Sequence, residues 1–168
     1  MAVNTKKVSG RRNLRYDSYQ DLLNDAERLA VSELRMLGNW SLGQVLGHLA
    51  RVMEMSIDGS DLKASWLVRL VARLFFRQRL LSGPIPPGFR VPRAAHDVLI
   101  PPPMSSQAGL AELRRAVERL RHETDRAPHP VLGELSLDEW DSLHLRHAEM
   151  HMSFLAPELA PAEATAAL

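Results

Sequence analysis

Residues 136–154 read Ser136-Leu137-Asp138-Glu139-Trp140-Asp141-Ser142-Leu143-His144-Leu145-Arg146-His147-Ala148-Glu149-Met150-His151-Met152-Ser153-Phe154. Leu137, Trp140, Leu143, His144, His147, Met150, His151 and Phe154 fall on or near one face of a helix, because offsets of three and four residues superpose side chains at helical pitch. Ser136, with Glu139 three residues on, forms a capping box: each side chain satisfies a backbone N–H that the first turn would leave unpaired. The stretch predicts a helix starting at Ser136, with three histidines on the side it shares with core residues.

The same grammar recurs upstream. After the Gly38-Asn39 break, Ser41 and Gln44 make another capping box, and Leu42, Val45, Leu46, Leu49, Val52 and Met53 form an apolar stripe. A helix is expected over about 41–58. Tyr19, Leu22, Leu23, Ala26 and Leu29 predict an earlier one over about 16–29, capped by Asp17 or Ser18. Residues 65–81 are densely apolar, but Arg69, Arg73 and Arg77 at four-residue intervals give that helix a polar edge and argue against a membrane span. Seven prolines in 83–103 cannot continue a helix and predict a long, ordered crossover loop. Ser105 or Ser106 caps a further helix with Leu110, Leu113, Val117 and Leu120 inward, ending before Pro128-His129-Pro130. No strand pattern competes, and no internal repeat is present. The fold class is all-α, in a single domain over 13–157. Residues 1–12 read as a flexible basic arm without the apolar run of a signal peptide, and 158–168 as a flexible tail.

Composition narrows function by exclusion. The chain has 168 residues, 45% of them hydrophobic, which suffices for one continuous core. Lysines and arginines number 21 against 20 acidic residues, so no global field selects nucleic acid or an acidic substrate. The absence of cysteine removes disulfides, thiolate ligands and a cysteine nucleophile, and fits a reducing, cytoplasmic setting.

The histidines carry the chemical signal. His147 and His151 have the one-turn spacing at which two imidazoles reach one ion, and a third ligand must come from another helix. His48 is the candidate, since Val45, Leu46, Leu49 and Val52 leave its helix little freedom to expose it. A buried imidazole needs partners for its ring nitrogens, and one ion satisfies a nitrogen on each of three rings. The alternative is a set of core histidines hydrogen-bonded to backbone or to carboxylates such as Asp141 and Glu54. Trp40, Trp66 and Trp140 read as core and boundary packing rather than ligand stacking; Arg146 and Glu149 as residues steering a charged substrate or making surface contacts; Arg69, Arg73, Arg77 and Arg79 as a solvated edge or subunit contact, with contact to anionic membrane or phosphate as the alternative.

The segment Gly38-Asn39-Trp40-Ser41-Leu42-Gly43-Gln44-Val45-Leu46-Gly47-His48-Leu49-Ala50 resembles the signature around the first ligand of the DinB-like superfamily, and residues 143–154 resemble its last-helix signature. With Arg11-Arg12 and His129-Pro130-Val131-Leu132-Gly133-Glu134-Leu135-Ser136, the chain is most similar to a domain-of-unknown-function branch of that superfamily. The resemblance spans about 11–154. It implies a four-helix bundle of DinB-like type with a divalent metal ion, zinc or nickel, held by His48, His147 and His151. His144 matches a position typical of the branch, as an orienting residue or an alternative ligand one turn away.

Three histidines leave the fourth position of a tetrahedral ion open to water or substrate, the arrangement of catalytic sites. Better-known members of the superfamily are metal-dependent transferases and isomerases that use a low-molecular-weight thiol such as bacillithiol, mycothiol or glutathione. The resemblance therefore implies a thiol S-transferase-like enzyme acting on a small-molecule substrate, alternatively a metal-dependent hydrolase, or a non-enzymatic protein whose metal stabilises the bundle. The apolar third helix and the resemblance predict a homodimer; neither a nucleic-acid nor a membrane partner is expected.

Overall fold

A computed structural model describes residues 2–62, 64–88 and 95–158. Part of the crossover, 89–94, and the tail beyond Glu158 lie outside the described residues. The fold is mostly helical. Helix α1 spans Tyr19–Ala30, α2 Leu42–Asp58, α3 Trp66–Val71, α4 Arg77–Ser82, α5 His96–Leu99, α6 Ser106–His122 and α7 Leu137–Met152. A π-helical segment, Ala72–Phe76, joins α3 to α4, so the helix expected over 65–81 is a helix with a register shift in its middle.

The start signals act as the sequence predicts. The Ser41–Gln44 and Ser136–Glu139 capping boxes are both closed in both directions. Between the candidate caps, the structure selects Ser18 for α1, through a further box with Asp21, and Ser105 for α6. Helix α1 starts at Tyr19, directly after its Ser18 cap, and upstream of the cap the Tyr16 N–H donates to the Glu149 carboxylate at 2.6 Å.

Helices α1, α2, α6 and α7 pack around one core containing Leu22 and Leu29, Leu46, Leu49 and Met53, Leu113 and Val117, and Met152. Burying each such side chain contributes roughly 1.5–3 kcal/mol against chain entropy. A smaller cluster joins Ala72, Leu132, Trp140 and Leu143, and fixes the π segment to one side of α7. Helix α7 is buried on more sides than its sequence stripe shows: Leu145, Ala148 and Met152 enter the main core, while Leu137 is exposed. Helices α2 and α6 meet at glycines. An added Cβ on Gly109 would lie 2.5 Å from the Gly43 carbonyl oxygen, so this crossing requires the missing side chain.

Two short strands form where the sequence predicts none. Strand β1, Leu34–Met36, pairs antiparallel with β2, Leu155–Pro157, in the register Leu34↔Pro157, Arg35↔Ala156 and Met36↔Leu155. Three-residue strands are too short to show a period of two, and this pair forms because the loop after α1 runs beside the end of α7. Val3 and Arg12 of the N-terminal segment reach the same region. The Asn39 side chain bonds both the N–H and the carbonyl of Val3, and the Arg12 N–H donates to the Ser153 carbonyl. Among the described residues no helix is long and apolar enough to cross a membrane.

Candidate metal centre

Helix α2 carries His48 and helix α7 carries His147 and His151, and the packing of the two helices brings the rings together. One ring nitrogen from each lies within 4.8 Å of the others. His147 Nε2 stands 3.4 Å from His48 Nε2 and 3.0 Å from His151 Nε2. For a tetrahedral ion with metal–nitrogen bonds of about 2.0–2.1 Å, ligand nitrogens are separated by about 3.3–3.4 Å. The spacing to His48 matches that value, and the spacing to His151 is a few tenths of an ångström shorter.

The protonation pattern explains why these nitrogens suit a cation. His48 Nδ1 is 2.6 Å from the Leu99 carbonyl, which can only accept, so Nδ1 carries the proton and Nε2 presents a lone pair to the cluster. His147 Nε2 has at most one proton to share between two neighbouring nitrogens, and a proton on His151 Nε2 would serve only one of those contacts. Among three neutral rings, at most one of the two contacts is therefore a full hydrogen bond. Charging a ring is disfavoured. Burial holds His48 below the usual imidazole range against the opposing Leu99 bond, and burial followed by the neighbouring histidines holds His147 and His151 well below it. A divalent ion accepts all three lone pairs without requiring a proton, and the donor set fits it.

The surroundings fix the rings. Trp40, in the loop before α2, stacks on His151 with planes 3° apart at 5.3 Å and tilts against His48 at 4.9 Å. Its role goes beyond boundary packing. Arg11 bonds the Ser153 hydroxyl through Nε and Nη2 and lies over the Phe154 ring, at the end of the helix that carries His151. His48 is buried, whereas His147 and His151 are half-buried, so the cluster reaches the protein surface on the α7 side.

His144 lies outside this group of nitrogens. Ser56 donates its hydroxyl proton to the Met53 carbonyl at 2.6 Å, leaving its oxygen to accept from His144 Nε2 at 3.1 Å. The ring stacks on Trp140, and burial pushes its pKa down to about 3. Asp141, a possible partner for a core histidine, instead accepts from the Tyr19 hydroxyl. Arg146 and Glu149 are neither steering groups nor surface contacts. They are 3% and 8% exposed, paired at 2.7 Å, and tied to the carbonyl and N–H of Tyr16. The arginine row is divided: Arg77 forms a two-oxygen pair with Glu139, while Trp66 beside the row is 75% exposed rather than packed. A surface depression formed by Glu54, Arg115, Arg119 and His122 contains none of the three clustered histidines.

Residues 8–158 match the family described as protein of unknown function (DUF1569). The chain belongs to this family. No curated protein and no solved structure matches it. The matched segment of this DUF1569 chain contains His48, His147, His151, Trp40 and the Leu99 carbonyl that orients His48.

Proposed function

We propose that this DUF1569 chain is a metal-dependent enzyme of DinB-like type, in which α1, α2, α6 and α7 form the four-helix bundle and His48, His147 and His151 hold one zinc or nickel ion. The observation carrying the proposal is the convergence of three Nε2 atoms with His48 already committed to the lone-pair-inward tautomer by Leu99. The reaction class is transfer involving a low-molecular-weight thiol, as in the better-known members of the superfamily that the sequence resembles. A chain without cysteine must take its thiol from solution.

When bound, a divalent ion in a three-histidine site supplies Lewis acidity that eases proton loss from a thiol or water near neutral pH. The chain's own residues provide orientation. Leu99 holds the His48 ring through Nδ1, Trp40 holds the plane of His151, and the helical spacing of His147 and His151 fixes the remaining separation. His147 and His151 are half-buried, so a small molecule could reach the residues that would hold the ion from the α7 side.

The test is turnover by zinc- and nickel-loaded protein with bacillithiol, mycothiol and glutathione against a panel of electrophiles, with His48→Ala as control. Conjugation by the loaded parent and its loss in the control are expected. Turnover of ester or amide substrates alone reassigns the chain as a hydrolase, and tight metal binding with no turnover in either panel reduces the metal to a stabilising role.

A further inference from the structure

Eight large apolar residues between positions 66 and 76 are exposed, with Trp66 at 75%, Leu74 at 68% and Phe75 at 73%. A helix on a soluble body ordinarily turns this face inward. Here the orientation is reversed. Ala72 is buried against Leu132, Trp140 and Leu143, Arg73 lies beside Gly133, and Arg77 pairs with Glu139. The small and cationic edge faces α7 and the loop before it, leaving Trp66, Leu67, Leu70, Leu74 and Phe75 uncovered. A contiguous apolar patch of this kind marks an interaction site.

The charge around the patch selects the partner. Among the described residues 64–88 there are four basic residues and no acidic one. Arg77 is neutralised by Glu139, but Arg15 bonds the Ser82 carbonyl at the end of α4 and Lys6 packs over Gly88 in the loop that follows, so the N-terminal segment adds a cation at each place. A second copy docked isologously would set this cationic rim against itself, whereas an anionic lipid surface accepts both the rim and the apolar face. The 17 residues from the start of α3 to the end of α4 extend about 25 Å at helical rise, enough to lie along an interface. No helix of the described residues can span the bilayer, so the contact is with its surface.

We propose that the face formed by α3 and the π segment docks this protein on anionic membrane, inserting Trp66, Leu74 and Phe75 at headgroup depth with Arg69 and Arg79 beside the phosphates. This departs from the expectation of no membrane partner and is independent of the metal site. The experiment is co-sedimentation of the full chain with vesicles of phosphatidylcholine alone or mixed with phosphatidylglycerol, at low and high salt. Preferential, salt-sensitive binding to the mixed vesicles is expected. Losing one basic contact should reduce partitioning about fivefold, so Arg69→Glu with Arg79→Glu should cost about 25-fold or more. Trp66→Ser with Phe75→Ser should abolish binding; because both side chains are exposed, its circular dichroism and zinc affinity should match the parent. The proposal is overturned by absence of binding to mixed vesicles, equal binding to both vesicle types, or binding unaffected by either double variant. A dimeric mass by light scattering that becomes monomeric in Trp66→Ser/Phe75→Ser, with no vesicle binding, assigns the face to a second copy instead.

Discussion

Replacing Arg146 by Met retains much of its apolar stem and removes its charge from one of the most enclosed positions of α7. Arg146 is 3% exposed, its guanidinium is 2.7 Å from the Glu149 carboxylate, and it also donates to the Tyr16 carbonyl. In the variant Glu149, 8% exposed, retains the Tyr16 N–H as a partner. Leaving a buried charge without its counter-ion costs about 3–5 kcal/mol. For a chain of this length each kcal/mol moves Tm by about 2–4 °C, so a fall of roughly 10 °C is expected in scanning calorimetry. The pH dependence has a definite sign. Burial already raises the Glu149 carboxyl, so the folded state holds its proton more tightly than the unfolded state and this group's contribution to stability falls as pH rises. Loss of Arg146 strengthens that trend, so the deficit should be larger at about pH 8 than at about pH 5. Adding Glu149→Leu should restore part of the loss by removing the stranded charge. A loss below about 1 kcal/mol at both pH values would mean instead that water reaches the pair and that Arg146 is not an enclosed counter-ion.

Gly109→Ala should lower stability, because its Cβ would meet the Gly43 carbonyl oxygen at 2.5 Å and overpacking of about 1–3 kcal/mol outweighs a helix-propensity gain of at most about 1. A thermal melt checks this, and zinc affinity should fall with it as α2 shifts His48. His144 is held to about 3 by burial, followed by the charges of Arg126 and His129, so the stability it contributes is present above its unfolded pKa and declines as pH falls from there toward about 3. For the metal-free chain that decline is about 1 kcal/mol between pH 6.5 and 5.5 from this group alone; urea titrations of His144→Leu should show that portion of the slope removed.

The sequence made the helix starts legible because a capping box is a local device: Ser41 with Gln44 and Ser136 with Glu139 close within one turn, whatever the rest of the chain does. The histidine cluster was legible for a related reason. His147 and His151 are brought together by helical pitch, and His48 is drawn inward by the leucines and valines around it. What the sequence concealed depends on distant partners. The Leu99 carbonyl that sets the His48 tautomer is backbone, 51 residues away, and has no side-chain signature. Arg146 and Glu149 have the three-residue spacing of an exposed ion pair, and only the approach of Tyr16 from the N-terminal segment explains their burial. Trp66 carries the composition of a core residue, but the neighbouring Ala72 takes the contact with α7, so the indole points outward.

Whether three Nε2 atoms form one metal site is decided by calorimetric titration of zinc into the metal-free parent and four single variants. The parent should take up one ion per chain. His48→Ala, His147→Ala and His151→Ala should each lose most of the affinity, since two protein ligands are too few for a tight site, while His144→Ala, whose ring bonds Ser56, should lose much less. Retained affinity in His48→Ala would remove the contribution of α2, and a greater loss in His144→Ala than in His151→Ala would move the site by one turn. A parent that binds no ion, or four variants that bind it as the parent does, would contradict the account and return the histidines to the core.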